Sequence, residues 1–223
     1  MDSGLVFEKF EIWQEQRLFL NISTTVLPGD ALTIMGPSGS GKSTLLAGIT
    51  GTLEQPFSAT GKLWLNGVEV SKRPTNERGI GILFQDDLLF PHMSVGANLA
   101  FGLISGGRAS ERKDRIRDAL AEVGLHGMED RDPATLSGGQ RARVSLMRML
   151  LSEPSALVLD EPFSRLDSGL RERTRSMVFG LARKRGLPVV LVTHDKEDAF
   201  AASGQVIELS GSGAEPRMTD QNS

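Results

Sequence analysis

The chain has 223 residues, with 25 Lys and Arg against 28 Asp and Glu, a net charge of −3, and neither cysteine nor tyrosine. The near balance of charge gives no sign of a broadly basic nucleic-acid surface or a polybasic anchor, and the lack of cysteine excludes disulfides and thiolate metal sites. No run reaches the roughly 20 apolar residues of a membrane helix and the N-terminus shows no basic-then-apolar leader, so the expectation is a cytoplasmic chain that meets a membrane only through a partner.

In chain order, residues 6–10 and 18–24 have the composition of strands. A turn follows at Leu27-Pro28-Gly29-Asp30, then an apolar strand at Ala31–Met35. A helix is expected to begin inside the glycine-rich stretch that follows and to run through Leu45, Leu46 and Ile49, with Gly51 as its C-terminal stop. Asn66-Gly67 between residues 63–65 and 68–70 is a hairpin signal. Residues 79–84 read as a buried strand.

From Gln85 to about Glu153 no strand pattern is present, and Ile116, Ala119, Leu120 and Val123 recur at helical spacing. This predicts a helical subdomain over residues 86–153 inserted in an α/β core. A short apolar strand at 156–159, a helix at Ser168–Lys184, and strands at 188–193 and 205–209 complete the pattern. Residues 1–209 therefore form one domain, and the Gly-, Ser- and polar-rich tail, 210–223, is expected to be disordered.

The stretch Gly36-Pro37-Ser38-Gly39-Ser40-Gly41-Lys42-Ser43-Thr44 carries the first chemistry. Glycines let successive backbone N–H groups point inward at a polyphosphate, and the following helix adds its N-terminal dipole. Lys42 supplies a point charge for the β- and γ-phosphates, Ser43 offers a hydroxyl to Mg²⁺, and Thr44 reaches the α-phosphate side. A merely flexible glycine-serine loop would not need this full spacing between a strand and a helix.

Further on, the apolar strand ending in Asp160 places a carboxylate where it can hold the waters of a Mg²⁺ shell, and Glu161 can polarise an attacking water. A positioned base of this kind contributes about 10²–10⁴-fold in rate. His194 stands at a strand's carboxyl end. A lone histidine is more often structural, but that setting makes it a candidate γ-phosphate sensor. His92 and His126 lack such a setting and read as ordinary surface or loop residues.

Leu136-Ser137-Gly138-Gly139-Gln140 begins a helix, with Ser137 as a possible N-cap. Taken with the phosphate loop, Phe84-Gln85-Asp86, the strand ending Leu159-Asp160-Glu161-Pro162, Ser164-Arg165-Leu166-Asp167 and His194, it resembles the ATPase subunit of ATP-binding cassette (ABC) transporters, in motif order, from about residue 5 to 209. The resemblance implies a phosphate-loop NTPase core with a mainly parallel sheet, an N-terminal antiparallel β-subdomain and the inserted helical subdomain. It implies that Gln85, the Q-loop glutamine, touches Mg²⁺ or the attacking water and reports to a membrane subunit, and that Asp167, the last residue of the D-loop, belongs to the nucleotide-binding residues. Trp13 stands where the family keeps an aromatic that stacks on adenine, a role no tyrosine can fill here; otherwise it is a core or surface tryptophan. Ser137, Gly138, Gly139 and Gln140 would meet the ATP held by a second chain, so the resemblance implies a homodimer with ATP and Mg²⁺ in shared sites. Two departures stand out: Arg165 where relatives usually carry a small residue, and Met147 and Met149 where alanine is commoner.

Phe90-Pro91-His92-Met93-Ser94-Val95, with Asn98 and Phe101-Gly102-Leu103, is similar to import-type subunits serving thiamine, polyamine or iron systems. The absence of a C-terminal regulatory β-domain resembles the thiamine-type subunit. Asp132-Pro133-Ala134-Thr135 and residues 163–167 look most like an uncharacterised importer ATPase of that group. The implied partners are two membrane-spanning permease subunits and a solute-binding protein, with no nucleic acid. The alternatives are a lipoprotein-extraction or cell-division ATPase of the same family, whose sequences differ after the Q-loop, and a soluble ABC ATPase of DNA repair or translation, which would carry long coiled coils, zinc cysteines or two cassettes. An inactive regulator conflicts with the presence of both Glu161 and His194.

Overall fold

Residues 156–159 (Ala-Leu-Val-Leu) and 189–192 (Val-Val-Leu-Val) are apolar at every position, the signature of strands buried on both faces. A computed structural model, describing residues 4–209 and 217–220, places them at the centre of a six-stranded sheet. The elements are β1 (Leu5–Gln14), β2 (Arg17–Val26), β3 (Ala31–Met35), α1 (Lys42–Thr50), β4 (Phe57–Leu65), β5 (Val68–Glu69), β6 (Ile80–Leu83), α2 (Val95–Gly102), α3 (Ala109–Glu122), α4 (Gly138–Leu150), β7 (Ala156–Asp160), α5 (Ser168–Lys184), β8 (Val189–Val192), α6 (Lys196–Ala202), β9 (Gln205–Glu208) and β10 (Arg217–Asp220). The large sheet has the order β10-β9-β3-β8-β7-β6. All its pairings are parallel except β10 with β9. A separate antiparallel sheet has the order β2-β1-β4-β5.

Alternation along the central strands divides the core in two. Leu32 and Ile34 of β3, Val158 of β7, and Val190 and Val192 of β8 join α1 and the antiparallel sheet in one cluster. Leu157, Leu159, Val189 and Leu191 point the other way, into a cluster with α2 to α5. α2, α3 and α4 all lie between β6 and β7 in the chain, and α3 buries Ile116, Ala119 and Leu120, the positions set by its helical period. The architecture is α/β with both a parallel and an antiparallel sheet.

Two elements differ from the sequence expectation. β4 begins at Phe57 rather than Leu63, and its first six residues are exposed or half-buried. Backbone pairing with β1, in the register Glu11–Thr60 and Trp13–Ser58, makes it a strand where the hydrophobic pattern is silent. The composition of the tail predicts disorder; Arg217–Asp220 instead pairs with β9 as an edge strand, because an open strand edge presents unpaired N–H and C=O groups to any extended segment within reach. Residues 210–216 and 221–223 lie outside the described residues.

The helix behind the phosphate loop is held at its far end by Arg78, only 7% exposed. Its guanidinium donates to the carbonyls of Gly48 at 3.0 Å and Ile49 at 2.8 Å, in the last turn of α1. It also donates to Ser71 O at 2.7 Å and Arg73 O at 2.9 Å. A cation here satisfies orphan carbonyls and complements the helix dipole, although burial pushes the guanidinium pKa down. Arg78→Met should lower unfolding stability by about 2–3 kcal/mol, and Arg78→Lys should recover only part, since an ammonium cannot reproduce the planar fork. A urea-unfolding midpoint unchanged in Arg78→Met would reject this role.

Candidate active site

The phosphate loop is the six-residue turn between β3 and α1. Gly39 and Gly41 have left-handed φ of 78° and 96°, which side chains resist. A Cβ on Gly36 would lie 2.6 Å from Ser40 Oγ and 2.7 Å from Leu209 O. Gly41 is the N-cap of α1 and supplies no side-chain cap, so the first N–H groups of the helix, at Lys42, Ser43 and Thr44, remain available to an anion. Pro37, Ser38 and Gly39 form the exposed rim. Lys42 Nζ reaches back across the loop to Gly36 O and Pro37 O, both at 2.9 Å. Ser40 Oγ is buried and has no hydrogen-bond partner among the described residues.

The parallel register brings the other segments to the same edge. Leu83 pairs with Leu159, Asp160 with Val192, and Val192 with Ile34. Gln85, Asp160, Glu161, His194 and Gly36 therefore all emerge at the carboxyl ends of neighbouring strands, where open α/β sheets bind ligands. Asp160 ends β7; its carboxyl is pushed above the usual range by desolvation and by the charge of Glu161, partly offset by Lys42. Glu161 has a φ of 45°, an unfavourable conformation for a residue with a Cβ. It is fixed by its N–H donating to Val192 O at 2.9 Å. Its Oε2 lies 3.2 Å from His194 Nδ1, with the histidine side chain 61% exposed.

The segments that carry these groups are braced. Thr193 Oγ1 accepts from Asp195 N at 3.0 Å and donates to Asp198 Oδ2 at 3.2 Å. Asp198, 1% exposed, pairs with Arg175 at 3.1 Å and Arg171 at 3.5 Å. Arg171 also pairs with Asp195 at 2.6 Å. The residues flanking His194 are thus tied to α5, which starts directly after Asp167. Asp167 Oδ1 accepts from Leu170 N at 3.0 Å as the α5 N-cap. The sequence pattern did not single out Arg171, Arg175 or Asp198, because ion pairs between separate helices leave no local period.

Trp13 is half-buried near the end of β1. Its indole N–H is shared between Glu11 Oε2 at 3.2 Å and Thr60 Oγ1 at 3.1 Å, on the strand face opposite Ile12, which packs toward Gly48 of α1. The aromatic in contact with the phosphate loop itself is Phe19, since a Cβ on Gly41 would lie 2.5 Å from its Cε1. Phe19 packs against Phe57 with ring centroids 5.3 Å apart and the rings tilted by 56°. It sits inside an apolar run, so the sequence marked it only as part of a strand.

The signature segment opens α4 with a reciprocal capping box: Gln140 N donates to Ser137 Oγ at 3.3 Å, and Ser137 N to Gln140 Oε1 at 2.9 Å. The two glycines have different causes. A Cβ on Gly139 would lie 2.4 Å from Leu170 Cδ2 of α5, whereas one on Gly138 would meet only Arg141 Nη2 at 3.9 Å. Within the chain, a side chain at 139 would crowd the Leu170 side chain, whereas one at 138 would not. Asn98 is fully buried. Its side chain donates to Phe90 O at 3.1 Å and Met93 O at 3.2 Å and accepts from Phe90 N at 2.8 Å, which shapes the Phe90–Ser94 loop. His92 and His126 lie away from the strand ends; His92 packs on Phe90.

A strand–loop–helix cradle with a lysine at its centre and acidic residues on the next strand ends defines a phosphate-loop nucleotide-binding protein. A family model described as ABC transporter matches residues 19–164, and the chain belongs to that family: it is an ABC ATPase. It is 53% identical over 189 residues to the uncharacterized ABC transporter ATP-binding protein YnjD of Escherichia coli K12, covering 85% of this chain and 87% of that protein. It is 45% identical to the Fe(3+) ions import ATP-binding protein FbpC 1 of Rhizobium meliloti, covering 85% of this chain and 53% of that protein. It therefore spans about half the length of that relative. Among solved structures, cbiO1 from Clostridium perfringens, part of the ABC transporter complex cbiONQ, superposes with a TM-score of 0.84 at 25% identity, covering 99% of this chain and 89% of that one. The dimeric bacterial ABC transporter cassette MJ0796 gives 0.77 at 26% identity, covering 98% and 99%.

The elevated pKa of Asp160 has a sign that can be tested. Its ionised form costs folding free energy, so that cost is absent at low pH and grows as pH rises through the raised folded value. Asp160→Asn should therefore raise the thermal midpoint of the nucleotide-free protein at neutral pH by about 2–4 °C. The gain should vanish as pH falls below the ordinary carboxylate range. A midpoint lowered at neutral pH would contradict this account.

Proposed function

We propose that this chain is the ATP-hydrolysing subunit of an import-type ABC system, working as a homodimer on two permease subunits fed by a solute-binding protein. The observation that carries the hydrolytic assignment is the Glu161–His194 pair, 3.2 Å apart, one strand from the phosphate loop. The loop 36–44 holds the triphosphate, with Lys42 turning from the Gly36 and Pro37 carbonyls to the β- and γ-phosphates. Glu161 orients a water for in-line attack on the γ-phosphorus. As the P–O bond to the β–γ bridging oxygen breaks, Glu161 takes the water proton on a carboxylate oxygen, and His194 stabilises the charge of the departing phosphate.

Ser43, Asp160 and Gln85 form an all-oxygen donor set that suits Mg²⁺, which keeps several waters and shares the substrate's phosphates rather than occupying a full protein cage. When bound, the ion neutralises phosphate charge. Trp13 supplies the flat surface for adenine from the β1–β2 end, and Phe19 walls the loop side.

Ser137, Gly138, Gly139 and Gln140 act on the nucleotide of the second chain, and Asp167 lies at the same dimer surface. In support, among the described residues a Cβ on Gly138 would meet only Arg141 Nη2 at 3.9 Å, and a backbone left bare at a helix N-terminus suits close approach of a phosphate. Permease docking falls on residues 84–104, where Phe84, Leu88, Phe101 and Ile104 are 47%, 56%, 67% and 46% exposed. Exposed apolar side chains in one stretch of chain suit an apolar partner surface. Among the described residues no helix is long and apolar enough to cross a membrane, so placement at the cytoplasmic face of the membrane comes through these partners. The similarity to the iron-import ATPases supports the import direction.

Glu161→Gln should keep ATP binding, lose at least about 10²-fold in turnover and accumulate as an ATP-bound dimer on size exclusion. Wild-type turnover in that variant would refute Glu161 as the base. Mixing Ser137→Arg chains with Lys42→Ala chains should leave one intact composite site per mixed dimer, so activity should exceed that of either variant alone. Activity that rises only linearly with protein concentration, with no gain on mixing, would refute the shared site.

A further inference from the structure

The short segment after Gln85 is gripped from two directions. From α4, Arg141 Nε donates to Asp87 Oδ2 at 3.3 Å, Ser145 Oγ to the Asp87 carbonyl at 2.8 Å, and Arg148 Nη1 to the Leu88 carbonyl at 2.9 Å. Arg141 Nη1 also donates to the Leu136 carbonyl at 2.7 Å, so one guanidinium ties the start of the signature segment to Asp87. From the opposite side, the Asp86 carboxylate pairs with the Arg165 guanidinium. Arg165 sits inside the turn that begins at Glu161, where Ser164 N and Oγ donate to the Glu161 carbonyl at 3.2 and 2.9 Å. One continuous path of contacts thus runs from the signature helix through Asp87 and Asp86 to Arg165 and the Glu161 backbone.

We propose that the Asp86–Arg165 pair is a latch that makes the position of the 161–167 turn, and so of Glu161, follow the position of the helical insert. Arg165 and Asp86 are then positioning residues. The two ends of the path differ in stiffness. The α4 grip has several hydrogen bonds on half-buried groups, so residues 86–88 move with α4. The latch is a single ion pair with side chains 61% and 52% exposed; such a pair adds little to global stability and can break and re-form as the insert moves. Breaking it would release the turn without unfolding it. A small displacement of a catalytic group is costly in rate.

This inference rests on Glu161 as the hydrolytic base. The test measures kcat and KM for ATP on the full chain for Arg165→Ala, Asp86→Ala, the double variant and Arg165→Lys. Each single alanine variant should lower kcat about three- to tenfold while KM stays within about twofold, and the double variant should be no worse than the worse single one. Arg165→Lys, which keeps the charge, should regain most of the loss. The latch is overturned if Arg165→Ala keeps wild-type kcat, or if the two alanine effects multiply in the double variant. Wild-type protein with no ATPase activity would instead sink the reading of Glu161, and a multiplied pair of losses with Glu161→Gln inactive would sink the latch alone.

Discussion

The parallel pairing of β3, β8, β7 and β6 in one register is the constraint on which the rest depends. Parallel strands end on the same side, so Gly36, His194, Asp160, Glu161 and Gln85 reach one edge although 49 positions separate Gln85 from Gly36 and 109 separate it from His194. That pairing needs strands buried on both faces, and the unbroken apolar runs of β7 and β8 meet the need. The two core clusters follow from the same alternation. One seats α1 and the phosphate loop; the other carries the helical insert.

Around this rigid edge the polar contacts grade from buried to exposed. Arg78 and the Asp198 network are buried and hydrogen-bonded, and they fix α1 and the segment bearing His194 relative to the sheet. The Asp86–Arg165 pair lies at the surface. Buried contacts thus hold α1 and the His194 segment, while an exposed ion pair joins the residues after Gln85 to the turn that follows Glu161. Glu161 combines both features, with a left-handed backbone held by Val192 and a side chain facing solvent-accessible His194.

The fold class and the phosphate loop were legible because each depends on local pattern: glycine spacing, a helix period, apolar runs. Phe19 was not, since an aromatic within an apolar strand gives no hint of which loop will pack on it. Arg165 was visible only as a departure from related D-loops, and its partner Asp86 is 79 positions away. Likewise the pattern marked both signature glycines alike, whereas only the structure separates Gly139, pressed on Leu170, from Gly138, whose Cβ would make only an ordinary contact with Arg141.

By itself the sequence determined that this is an ABC ATPase, since the phosphate loop, the signature and the acidic strand end are each read from consecutive residues whose backbone chemistry is local. Tertiary structure alone decided which side chains meet: that Arg78 closes α1, that Arg171 and Asp198 brace the residues around His194, and that Asp86 joins Arg165. Those pairings are set by how distant elements pack, and ion pairs and buried hydrogen bonds between separate elements impose no period on the chain. The edge strand at Arg217–Asp220 belongs to the same class, because an exposed strand edge selects its partner by reach rather than by hydrophobicity.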